Sequence, residues 1–333
     1  MKKVLTILLL INSFATSAQQ ISGYHLLKTF KPSGNGGWDY LAINKDRLYV
    51  SHGTQVNVLN KITGDSIGAI SNTIGVHGIA FCNSLGKGYS SNGRLNNVFV
   101  IDLNTNTVID SIATGKNPDA ILYDDYSKKI ITCNGRSNDL TVIDAATQKV
   151  VATIAIGGKP ETLVSNNTGK WMVNIEDKNE IVVVNATSYA IENRWSLLPG
   201  LSPTGLAIDT GTNLLFAGCE KLLIVMDANT GKIKQQLPIG DGCDGVAFDR
   251  KNKLVFTANG EGNMTIIKEE KNGNCQVVET ITTKKRARTI AIDEAIGWVY
   301  LPTASFEPLP PGATEKTRPK IIEGSFQVLV LGK

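Results

Sequence analysis

The chain has 333 residues, of which 42% are hydrophobic and 19% charged, with 32 glycines and a formal charge of +4. That composition belongs to a packed globular protein and excludes disordered and collagen-like classes. Lys2 and Lys3 belong to the leader described next, and without them the charge falls to +2. This disfavours nucleic acid as a partner, because such binders carry a strong basic excess. The only basic cluster, Lys284–Arg288, is short enough to be ordinary solvated surface.

The first predicted element is a secretory signal peptide, residues 1–18. Two lysines precede an apolar stretch, and Thr16-Ser17-Ala18 supplies the small residues of a cleavage site after Ala18. The apolar stretch is too short for a membrane span. With no cysteine near the cut, a lipid anchor is not expected. The mature chain, residues 19–333, is therefore expected to be periplasmic or secreted, a single domain and a monomer.

Next comes "YHLLKTFKP", Tyr24–Pro32, which reads as a strand. From there a unit of roughly forty residues recurs seven times. Its register is fixed by the residue that follows a Gly-x-x-Pro turn and opens an apolar run: Asp39, His77, Asp119, Glu161, Thr204, Asp244 and Arg288. The third unit shows the pattern: "DAILYD", "KIITCN", "DLTVID" and "KVVATIAI". Short alternating runs divided by turn residues are antiparallel strands, and four per repeat is propeller spacing. In "VID" the aspartates Asp102, Asp144 and Asp227 suit a tight turn, in which the carboxylate accepts from backbone N–H groups further on. The last unit has only three strands, "RTIAID", "GWVYLP" and "SFQVLVLG", with a Pro-rich insertion at residues 304–324. The predicted fold is an all-β, seven-bladed β-propeller whose last blade is completed by the N-terminal strand, which removes an exposed edge.

"TVIDAATQKVVATIAIGGKPE" closely resembles the YVTN-type repeat of the YncE-like family of exported bacterial propellers, over essentially the whole mature chain. "NGRSNDLTVID", "VNIEDKNEIVVV" and the insertion resemble a subset of that family. The first unit departs from the repeat: its turn lacks the proline and carries Trp38 instead. The resemblance implies the fold and leaves function open, since the family includes binding proteins and fold alone does not assign activity.

In an antiparallel meander the start of each first strand and the end of each second lie at one end of the blade. Asp39, His77, Asp119, Glu161, Asp244 and Arg288 are thus expected to ring one channel mouth, with His52, Asn134, Glu176 and Asn259 from the second-strand ends and Arg136 nearby. Such a ring is a candidate site for a small polar ligand or an exported protein partner. No cofactor is required by the sequence. Asp119, Glu161 and Asp244 are candidate ligands for Ca²⁺, Mg²⁺ or Mn²⁺, which prefer oxygen donors. His52 and His77 lie in neighbouring blades and could face each other, or each could be a plain hydrogen-bonding group. Cys219 and Cys243 fall in adjacent blades and are a candidate disulfide. No nucleophile elbow, Walker sequence or H-E-x-x-H is present. Two functions follow. The first is an exported binding or scaffold propeller. The alternative is a metal-dependent lactonase-type hydrolase, with Glu161, Asp119 or Asp244, and Asn134 or Asn259 holding the cation and activating a water.

Overall fold

Each predicted run forms a strand because its side chains alternate between two buried faces. The computed structural model describes residues 22–310, 312 and 319–333. The predicted signal segment and part of the insertion lie outside these residues. Among the described residues the strands make seven antiparallel four-stranded sheets. Blade 3 is typical, with strands Pro118–Asp124, Lys129–Asn134, Asp139–Asp144 and Lys149–Ala155 from the axis outward. Its second and third strands are almost wholly buried, because both faces of the sheet meet neighbouring blades. One apolar cluster joins Ile131, Leu140 and Val142 of blade 3 to Trp171, Val173 and Val182 of blade 4. Another joins Phe216 and Leu223 of blade 5 to Phe248 and Val255 of blade 6. Each such aliphatic or aromatic side chain contributes roughly 1.5–3 kcal/mol by leaving water.

The aspartates at the turns do what the repeat implies. Asp144 Oδ1 accepts from the Ala146 and Thr147 N–H groups at 3.1 and 2.8 Å, and Asp102 and Asp227 accept similarly. Left-handed residues close these turns: Asn106, Gln148 and Gly231, at φ 56°, 59° and 73°. The asparagine and glycine suit that backbone region, and Gln148 is the exception that the turn holds there.

The ring closes as predicted. His25–Phe30 pairs with Gln327–Gly332 as the outermost strand of blade 7, in a register from His25↔Gly332 to Phe30↔Val328. Blades 7 and 1 are then joined by the Lys61–Asp293 ion pair at 2.5 Å and by Tyr300, whose hydroxyl donates to Lys61 O at 2.9 Å. The inner strand of blade 7 is shorter than "RTIAID" suggests, running only from Ala291 to Asp293. Its register would set Thr289 opposite Pro302, which has no N–H to give the ladder. The foot of the insertion is a small ladder of its own, with Phe306 bridging Ile321 and the Glu307 N–H donating to Lys320 O at 2.8 Å.

All five cysteines are buried free thiols, which corrects the candidate Cys219–Cys243 disulfide. Each sulfur is engaged within its own strand, Cys219 with Ala217 O at 3.8 Å and Cys243 with Gly245 O at 3.7 Å. Burial pushes the Cys219 thiol up to about 12, so it is held as an inert thiol.

Two measurements check this account. Removing residues 21–31 exposes the edge of Gln327–Gly332, and the urea midpoint is expected to fall well below that of the intact chain; an unchanged midpoint would refute the closure. Titration of denatured, unreduced protein is expected to count five thiols, and a count of three would restore the disulfide.

Candidate functional site

The mouth is built by a repeated irregularity. In blades 1 to 4 the pairing of the first two strands slips between Trp38 and Leu41, Val76 and Ile79, Pro118 and Ile121, and Pro160 and Leu163. Blade 6 slips between Cys243 and Gly245. The residues released from the ladder include Asp39, His77, Asp119, Glu161 and Asp244, with Tyr40, Gly78, Ala120 and Thr162 beside the first four. A bulge re-aims its side chain, and here it aims five chemically active groups at the axis. The backbone groups around the bulges are taken up by hydroxyls, three of them across blade boundaries and that of Ser51 within blade 1. Thr289 donates to Asp39 O at 2.6 Å, Ser91 to Asp119 O, and Thr204 to Cys243 O at 2.5 Å. Ser51 Oγ accepts from the Asp39 N–H at 3.1 Å and donates to Tyr40 O at 3.0 Å.

His77 lies between two carboxylates, its Nδ1 at 2.5 Å from Asp39 Oδ2 and 3.6 Å from Asp119 Oδ1. Burial disfavours its charge, but the bond to Asp39 and the charges of Asp119, Asp39 and Glu161 prevail and raise its pKa to about 9. Asp119 is raised well above the usual carboxylate range by burial and then by Asp39, with His77 opposing. Glu161 is raised to about 7, chiefly by burial, although Lys159 stands 3.1 Å away. Asp244 is raised to about 6, again by burial, despite Arg288 at 2.7 Å. Lys159 also pairs with Glu176.

Beneath this ring Tyr40 crosses the channel. Its hydroxyl meets Thr162 Oγ1 of blade 4 at 3.4 Å, and its ring packs on the core shared by blades 3 and 4. Burial first, and then Asp119, Asp39, Glu161 and Asp244, keep its hydroxyl protonated. Neither Tyr40 nor Lys159 was singled out from the sequence. Lys159 is legible in hindsight as the residue before Pro160, which opens the inner strand. Tyr40 carries no signal, because one residue of register decides whether it points across the axis or into a blade.

The second-strand ends behave differently from expectation. Asn134 is fully buried and donates to Asp139 Oδ1 at 2.6 Å and to Thr141 Oγ1 at 2.8 Å. Asn259 does the same toward Asn263 Oδ1 and Thr265 Oγ1. Both staple the hairpin between second and third strands. His52 is buried and stacks on Phe326 with ring centres 3.9 Å apart, so it does not face His77. Arg136 is exposed on the rim. Of the candidate metal trio, only Asp119 belongs to the tightest donor cluster. Asp39, His77 and Asp119 each offer a ligand atom within 4.8 Å of the others, whereas Glu161 and Asp244 are engaged by Lys159 and Arg288. Two carboxylates and an imidazole suit a first-row divalent ion such as Mn²⁺ better than Ca²⁺.

Residues 65–169 match the model of a family described as YNCE-like beta-propeller. No curated protein gives a significant match. Among solved structures, hydrazine synthase of Kuenenia stuttgartiensis is similar, with a TM-score of 0.71 over 84% of this chain and 95% of that chain. At 14% identity that likeness is one of fold.

The raised groups make a pH prediction. A histidine raised in the folded state stabilises fully below its unfolded pKa and loses that contribution as pH rises through about 9. Carboxyls raised to about 6 and 7 bind protons more tightly when folded, so stability also falls as pH climbs through the range from 4 to 7. Both effects have one sign. The thermal midpoint is expected to decline from pH 5 to pH 9, and Glu161→Gln with Asp244→Asn is expected to flatten the acid part of that decline. An equally steep profile in the variant would refute the assignment.

Proposed function

We propose that this seven-bladed β-propeller, residues 65–169 of which match a YNCE-like beta-propeller family model, is an exported binding protein whose acidic mouth holds a small cation. The observation that carries this reading is charge imbalance in a confined place. Among the described residues, Asp39, Asp119, Glu161, Glu176 and Asp244 form ion pairs with three cationic groups, His77, Lys159 and Arg288. Burial first, and neighbouring carboxylates after it, hold Asp119, Glu161 and Asp244 above the usual carboxylate range, so ionising all of them together is unfavourable. A bound cation relieves the repulsion. Asp39, Asp119 and neutral His77 would be the ligands of a divalent ion. The lactonase-type alternative draws less support, since Asn134 and Asn259 are fully buried within their blades and the Asn134 Oδ1 already accepts from Thr132 Oγ1 at 3.0 Å.

The test is a thermal-shift titration with MnCl₂, CaCl₂ and MgCl₂. Mn²⁺ is expected to stabilise the wild type by about 2.7 kcal/mol at a hundredfold excess over its dissociation constant. Asp119→Asn is expected to abolish that shift. The pair Glu161→Gln and Asp244→Asn is expected to weaken it while leaving the metal-free protein at least as stable as the wild type. Stabilisation of equal size in all three proteins, or none by any ion, would overturn the proposal.

A further inference from the structure

Five Asn-Gly pairs stand in the chain, at Asn35, Asn92, Asn134, Asn259 and Asn272. Such a pair has a reaction of its own. The glycine nitrogen can attack the asparagine side-chain carbonyl carbon, because no Cβ on the glycine obstructs the approach. The fold suppresses this at four of the five. Asn92, Asn134 and Asn259 end second strands and are fully buried, so packing holds each side chain in one rotamer. The glycines that follow them, Gly93, Gly135 and Gly260, donate their N–H groups to Gly75 O, Asn117 O and Gly242 O at 2.8, 3.0 and 2.8 Å. Asn272 is exposed, but the Gly273 N–H donates to Glu270 O at 2.8 Å, and Asn272 Oδ1 accepts from the Asn274 N–H at 2.9 Å.

Asn35 differs in each respect. It and Gly36 are exposed, and among the described residues neither the Asn35 side chain nor the Gly36 N–H has a hydrogen-bond partner. Gly34 and Gly36 flank it at φ 120° and 110°, so the backbone on both sides turns without a Cβ to hinder it. The loop is tethered just beyond these glycines. Ser33 O accepts from Gln55 Nε2 at 3.0 Å and Asn57 Nδ2 at 2.9 Å, and Gly37 O accepts from the Gly53 N–H at 2.6 Å. Residues 34–36 can therefore rearrange while blade 1 stays in place.

We propose that Asn35 is a site of spontaneous covalent modification, the Asn-Gly pair that the folded chain leaves reactive. The Gly36 nitrogen gives its proton to solvent and bonds to Asn35 Cγ, the Cγ–Nδ2 bond breaks, and Nδ2 leaves as ammonia. Water then opens the cyclic imide. Cleavage of its Cγ–N bond leaves aspartate, and cleavage of the original peptide bond leaves isoaspartate. One water enters and one ammonia leaves, with no change of oxidation state. Either product puts a carboxylate on the linker between the closing strand and blade 1, and isoaspartate also adds a main-chain carbon there. Asn35 lines a cavity of about 490 Å³ together with His52 and Phe326, so the new charge joins that wall. This reading does not rest on the cation site.

The experiment incubates the full chain at mildly alkaline pH, folded and in concentrated urea, until all five pairs have reacted in urea. Peptide mapping by mass spectrometry follows each asparagine as its amide becomes an acid, and labelling by an isoaspartyl methyltransferase counts isoaspartate. In the folded protein Asn35 is expected to convert at least tenfold faster than any other pair, whereas in urea the five convert at comparable rates. Asn35→Gln lengthens the side chain and disfavours ring closure, and is expected to remove the methyltransferase signal from the folded protein. Comparable rates in the folded chain, faster conversion at another pair, an intact Asn35 at the end of the incubation, or a signal undiminished by Asn35→Gln would each overturn the proposal.

Discussion

A blade of this protein cannot bury its own apolar surface. Its middle strands are hydrophobic on both faces, so each sheet depends on a neighbour on either side, and the dependence ends only when the last sheet meets the first. Closure of the ring is therefore the constraint on which the rest of the structure hangs. The chain meets it by joining its two ends in one sheet, His25–Phe30 beside Gln327–Gly332. Lys61–Asp293 and Tyr300 then lock that blade to the next. Seven interfaces of similar build share the burden, and none is an independent core.

Closure also creates the axis, and the axis concentrates charge. Each inner strand slips its register near its start in five of the seven blades, and the residue freed by the slip points inward. A local backbone irregularity thus becomes, through sevenfold repetition, a ring of Asp39, His77, Asp119, Glu161 and Asp244. The carbonyls and N–H groups released by the slips are recaptured by Ser51, Ser91, Thr204 and Thr289. The hydroxyls hold the bulges open, and Ser91, Thr204 and Thr289 do so across blade boundaries, so the geometry of the mouth is tied to the integrity of the ring. The electrostatic consequence is a group of carboxyls that share too little positive charge and compensate by binding protons.

Much of this was legible in the sequence. The repeat period, the strand count and the incomplete last unit led to seven blades and to their closure by Tyr24–Pro32. The aspartates of the "VID" turns followed from turn chemistry alone, because an Asx turn involves only a few consecutive residues. The list of inner-ring residues also followed, since position in the repeat fixes which end of a blade a residue occupies. These are local or periodic properties, and a linear string records both.

What only the tertiary structure decided is direction and partnership. Asn134 and Asn259 lie at the expected end of their blades yet turn into the sheet, because a second strand is flanked on both sides and its last residue can still reach its own hairpin, while His52 stacks on Phe326. Glu161 and Asp244 are at the expected place, but Lys159 and Arg288 claim them, leaving Asp39, His77 and Asp119 as the close donor set. Cys219 and Cys243 are neighbours in blade order, and each instead bonds within its own strand. Tyr40 meets Thr162 of blade 4 through a contact spanning more than a third of the chain. The sequence by itself determined where each residue falls in its repeat; which neighbour it meets depends on bulges, rotamers and distances across the axis, which exist only once all seven blades have closed.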